Sequence, residues 1–165
     1  MIRSQEAIAK ADLRRLLRLA REDIDEFFER NPAYIRQFRG KEKLIALCQG
    51  AALHYVDGKN GIKDFDVWFF YPQRGAKTLP YRRRGMRDYG VSKFGRDPNL
   101  PMYEGRKADV LFRSTEYFNS GSPEAGLVNY LSERKTKTAK QLAEKAVIGL
   151  FPERVFGAVL WWKGV

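Results

Sequence analysis

The sequence has little of what builds covalent or soft-metal cross-links. Its 165 residues include one cysteine, Cys48, and one histidine, His54. One thiol forms no intramolecular disulfide, and one Cys with one His cannot complete a structural zinc site. No apolar run approaches the ~18 residues that suggest a membrane span. Residues 1–6 lack the apolar stretch of a signal peptide. These absences set the expectation of a cytoplasmic protein with no membrane partner. Acidic residues are also few: 20 Asp and Glu stand against 31 Lys and Arg, a formal net charge of +11. A basic protein of this kind attracts polyanions such as nucleotides and nucleic acid. With 44% hydrophobic and 13% aromatic residues, the chain suits one domain with a ring-rich core.

Apolar residues from Ile8 to Phe28 recur at helical spacing, which predicts a helix over residues 4–30, stopped by Asn31-Pro32. A short helix follows from Pro32 to Phe38. The run Leu44-Ile45-Ala46-Leu47-Cys48 reads equally as a buried strand or as a helix start. A helix is expected from Ala51 to Val56, then a turn over residues 57–61. Residues 64–71 and 107–113 are rich in β-branched and aromatic side chains and read as strands. Ser122-Pro123-Glu124 opens a helix to about Arg134. Thr138 with Gln141 reads as a capping box for a helix ending near Leu150. The last segment, residues 154–162, reads as a strand or a closing helix. The order predicts an α+β fold, a small mixed β-sheet flanked by helices.

Three carboxylates stand out. Asp64 and Asp66 lie two apart on a strand, so both side chains share a face, ~6.6 Å apart along the chain. Such a pair suits a hard cation, Mg²⁺ or Mn²⁺. Paired ions of this kind activate an attacking hydroxyl and neutralise a leaving pyrophosphate. Asp109, on the next predicted strand, is placed to complete the set. Upstream, Gln49-Gly50-Ala51 opens a helix of small residues, and helix N-terminal amides bind phosphate.

These pieces together resemble the nucleotidyltransferase superfamily, whose fold is like that of DNA polymerase beta. The pattern is a Gly-containing helix start, then Asp-hydrophobic-Asp-hydrophobic, then a later acidic residue. Here it runs Gln49-Gly50-Ala51-Ala52-Leu53, then Asp64-Phe65-Asp66-Val67, then Asp109. The helix start looks most like that of minimal nucleotidyltransferases and abortive-infection-type toxins, which implies a place in a toxin–antitoxin pair. The resemblance covers residues 43–113. It implies Asp64, Asp66 and Asp109 as catalytic metal ligands and Gln49, Gly50 and Ala51 as the nucleotide-binding turn. It also implies an NTP as substrate. Two departures stand against the pattern. Gln49 occupies the place of the first Gly, and the insert between Asp66 and Asp109 is unusually long.

That insert is strongly basic. Residues 72–107 carry ten Lys or Arg against three Asp or Glu. Arg82, Arg83, Arg84, Arg87 and Lys107 are candidate phosphate contacts. Tyr81, Tyr89, Phe94 and Tyr103 are candidate base-stacking side chains, and RNA is a more natural acceptor than DNA. His54, one turn after Gly50, reads as a packed helix residue or one facing a nucleotide. Cys48 reads as core, and Trp161 and Trp162 as core or interface. Two other functions fit the same residues. One is a non-catalytic nucleic-acid-binding domain acting through residues 72–107. The other is a metal-dependent nuclease with Lys63 or Lys107 beside the carboxylates.

Overall fold

The computed structural model describes residues 2–79 and 85–163. Its first helix, α1 (Lys10–Arg30), buries the stripe Leu13, Leu16, Ala20, Ile24, Phe27 and Phe28. The Ala9 amide donates to Asp12 Oδ2 (2.7 Å), and Asn31 Nδ2 donates to the Phe27 carbonyl (2.9 Å), so both ends are capped by side chains. The helix is shorter than the sequence suggests. Residues before Lys10 are instead drawn out by a two-bond bridge between the backbones of Ser4 and Ile62. A 3₁₀ turn, Pro32–Tyr34, leads to α2 (Ile35–Phe38).

The ambiguous apolar run is a strand, β1 (Leu44–Cys48), with all five residues buried. It passes directly into α3 (Gln49–Asp57), which ends at left-handed Gly58. The strands β2 (Phe65–Tyr71) and β4 (Lys107–Ser114) lie where the sequence places them. A short strand, β3 (Gly85–Asp88), falls inside the basic insert. Next come α4 (Pro123–Glu133), capped by Ser122, and α5 (Lys137–Ala143). The chain ends with β5 (Ala146–Phe151) and β6 (Val159–Trp162). The six strands form one mixed sheet in the order β3-β4-β2-β1-β5-β6.

The expected helix from Thr138 to Leu150 is thus half strand. Thr136, not Thr138, is the cap, its hydroxyl accepting from the Ala139 amide (3.1 Å). The run Ala146 to Leu150 is β-branched, apolar and buried on both faces of the sheet, an environment that overrides a helical reading. Strand alternation then sorts the core. Ile45, Leu47, Val67, Phe69, Val110 and Phe112 face α1, where Phe27 meets Phe112 edge-on at 4.7 Å. Leu44, Ala46, Cys48, Phe70 and Val147 face α4 and α5. No helix among the described residues is long and apolar enough to cross a membrane.

Gly61 fixes the path of the N-terminal segment. Its φ is +74°, and a Cβ there would lie 2.8 Å from Arg3 Cβ and 2.6 Å from Gln5 Nε2. Gly61→Ala therefore combines left-handed strain of about 1–2 kcal/mol with a clash against the segment it carries. Urea denaturation should show a loss of at least that size. Limited proteolysis should show faster cleavage before Lys10.

Candidate active site

The register of the sheet brings the acidic residues together. β2 and β4 run parallel with Asp66 opposite Asp109, and on the other side of β2 Asp66 lies opposite Cys48 of β1. In-register neighbours point to the same face, so Asp66 and Asp109 stand abreast on the face that carries α4 and α5. Asp64 precedes β2 by one residue. Asp109 is fully buried, whereas Asp64 and Asp66 are partly exposed in a cleft of about 440 Å³.

Lys107 ties two of the carboxylates to one charge. Its ammonium lies 3.4 Å from Asp109 Oδ2 and 3.8 Å from Asp64 Oδ2. An enclosed carboxylate is costly without a countercharge, and the low local dielectric strengthens this contact. Lys107 is therefore spoken for by carboxylates and does not stand out as a phosphate contact. Among the described residues, no three His, Cys, Asp or Glu side chains converge closely enough to hold a metal ion as they stand.

The turn into α3 forms the second wall. Gln49 takes φ +65°, a left-handed conformation that favours glycine, at the place where the resembling pattern has its first Gly. Gly50 follows. A Cβ on it would lie 3.9 Å from both Arg3 Nη1 and Lys145 Nζ, so a guanidinium and an ammonium flank the helix start. The first amides of a helix have no intrahelical acceptor, and its dipole adds partial positive charge. Lys63 adds a third cation, and Trp68, Leu111 and Gln141 also line the cleft.

Two buried polar residues hold this frame. His54 Nδ1 accepts from the Gly61 amide (2.9 Å), which leaves Nε2 to donate to the Glu6 carbonyl (3.0 Å). His54 is thus a strut between α3, the turn before Asp64 and the segment carrying Arg3, and not a residue facing the cleft. Arg106, 3% exposed, donates to the carbonyls of Phe94 (2.8 Å) and Ile2 (3.1 Å). Burial lowers its pKa, while Asp97 and Asp64 act in the opposite sense. Burial, with Asp66 adding to it, pushes the Cys48 thiol well up, so it stays protonated and serves as core.

The basic insert is largely used within the molecule. Arg87 donates from Nε to Asp23 Oδ1 (2.8 Å) and pairs with Glu26, both on α1. Lys93 pairs with Asp12, and Arg96 donates to the carbonyls of Pro101 and Tyr103. Tyr89 and Phe94, expected as stacking platforms, are buried against Phe65 at 4.9 and 5.4 Å. Their rings are core because α1 and β2 cover them. The three arginines at 82, 83 and 84, and Tyr81, lie outside the described residues. Arg3, Lys145, Trp68 and Arg106 carry no local motif. They join the site only through the fold.

Compared with protein-family models, curated proteins and solved structures, the chain matches none.

Lys107→Met tests the acidic cluster. It leaves Asp109 enclosed without its ammonium and should cost about 1–3 kcal/mol, less than the ~3–5 of a fully enclosed pair because Lys107 keeps some solvent. Lys107→Met with Asp109→Asn should recover part of the loss in urea denaturation. Equal losses in the single and double variants would show that the contact carries little energy.

Proposed function

We propose that this chain is a metal-dependent nucleotidyltransferase that moves a nucleotidyl group from an NTP to an acceptor hydroxyl. The hydroxyl oxygen attacks the α-phosphorus, the bond from that phosphorus to the β-phosphate oxygen breaks, and pyrophosphate leaves. The observation that carries the reading is the pairing of Asp66 with Asp109 across parallel strands, beside the helix start at Gly50 and its flanking cations. Carboxylates and a phosphate cradle at one cleft serve both halves of such a reaction.

Roles follow from position. The amides of Gly50 and Ala51 suit the terminal phosphates, with Arg3, Lys63 and Lys145 balancing their charge. Asp64, Asp66 and Asp109 offer hard oxygen donors, which fit Mg²⁺ or Mn²⁺. The ammonium of Lys107 between two of them marks a place where their field already favours a cation. When bound, such an ion neutralises phosphate charge and lowers the pKa of the attacking hydroxyl. The net charge of +11 suits RNA as the acceptor. A purely binding role for residues 72–107 draws less support, since Arg87, Lys93, Arg96 and Arg106 are engaged internally.

Binding tests the reading. With Mg²⁺ and an NTP at a hundredfold its Kd, the native state gains about 2.7 kcal/mol, or roughly 5–10 °C in Tm for a chain of this size. Asp66→Asn should abolish the metal-dependent part of the shift. No shift with any of the four NTPs, in Mg²⁺ or Mn²⁺, would contradict it.

A further inference from the structure

The cleft has two chemically different ends. One is ionic: Arg3 and Lys145 flank Gly50, with Asp64 and Asp66 in the same lining and Asp109 buried beside Asp66. The other lies one strand step further along β2. There Trp68 is opposite Leu111 on β4 and Ala46 on β1, so the row after the carboxylates is apolar. Gln141 reaches the same cleft from α5.

Trp68 is an aromatic side chain of the cleft lining that keeps some solvent exposure. Asp66, Trp68 and Phe70 share one face of β2 at two-residue spacing. The Trp68 and Phe70 rings are nearly parallel, 18° between planes with centroids 6.1 Å apart. The two rings thus run roughly parallel along the strand, with Phe70 on the side of Trp68 away from Asp66. The side chain is only partly buried, while Phe70 is fully so. The indole therefore packs beside Phe70 and still lines the cleft.

We propose that this end is a purine-binding subsite, in which the base stacks on the Trp68 indole and the Gln141 carboxamide reads its edge. The inference rests on the nucleotide reading of the same cleft and names the part of the NTP that the carboxylates and cations do not recognise. Stacking on an aromatic face is effective for any base but grows with ring area, which favours purines over pyrimidines. A glutamine amide presents a donor and an acceptor together, the pair that the N6 and N7 edge of adenine requires. Leu111 offers no polar group on this row, and Gln49 sits at the ionic end, so edge reading falls to Gln141.

Calorimetric titration with ATP, CTP and inorganic tripolyphosphate, each with Mg²⁺, separates the two ends. The wild type should bind ATP most tightly, CTP less so and tripolyphosphate most weakly. Trp68→Leu should weaken ATP about 5- to 150-fold, the range for loss of one stacked base, with tripolyphosphate unchanged, and Trp68→Phe should restore most of the affinity. Gln141→Leu, at an exposed helix position where folding is not at risk, should narrow the preference for ATP over CTP. The subsite alone is overturned if wild-type protein binds tripolyphosphate as tightly as ATP, or if Trp68→Leu leaves ATP affinity intact. Loss of tripolyphosphate binding along with ATP in Trp68→Leu would also overturn it. Failure of the wild type to bind any of the three ligands would overturn the nucleotide reading itself.

Discussion

Parallel pairing of β2 with β4 is the constraint on which the rest of this molecule depends. It sets Asp66 beside Asp109 on one face and Val67 beside Val110 on the other. A slip of one residue in either strand would send a carboxylate into the packing under α1 and an apolar side chain into the cleft. The register is held by apolar contacts on both faces. Phe112 meets Phe27 of α1 on one side, and Phe70 stacks on Phe118 at 5.1 Å on the other. Burial of those rings therefore places two acidic groups together that would repel each other if free.

Parallel neighbours also demand a long connection, because a hairpin joins only antiparallel strands. Here the connection is the basic insert, with β3 running back along the outer side of β4. Its charges bind it to the body of the protein. Asp88 accepts from the amides of Gly90, Glu104 and Gly105, and these bonds outweigh burial to hold its carboxyl below the usual range. Arg87 reaches α1, and Arg106 gathers the insert, the N-terminal segment and the approach to β2. The same connection that permits the parallel pair thus steadies the residues around the cleft.

What the sequence disclosed follows from the range of the interactions concerned. Asp64 and Asp66, the apolar character of β2 and β4, and the turn at Gly50 are local patterns, and the α+β sheet with flanking helices follows from them. The partners of Arg87, Tyr89 and Phe94 are not local. A cluster of Arg and Tyr carries the same composition whether it faces solvent or a helix distant in the chain. Arg3 and Lys145 come from opposite ends of the sequence, and only the Ser4–Ile62 bridge and the β1–β5 pairing bring them to Gly50. The second half of the helix expected over Thr138 to Leu150 is a strand, and a strand buried on both faces has no alternation to betray it. Gln49 was a departure from the Gly pattern in sequence. In the fold it adopts a left-handed conformation, one that glycine takes without steric cost.

The proposed role of the paired carboxylates is transfer at the α-phosphorus. Its most direct test follows two labels. Purified protein, Mg²⁺ and an extract of cellular RNA and protein are incubated with an NTP labelled at the α-phosphate or, separately, at the γ-phosphate. Label from the α-position should enter a macromolecular acceptor, and label from the γ-position should appear in pyrophosphate. Both should be lost in Asp66→Asn and in Asp109→Asn variants that remain folded. Transfer of the γ-label to the acceptor, or α-label incorporation that survives in both variants, would contradict it.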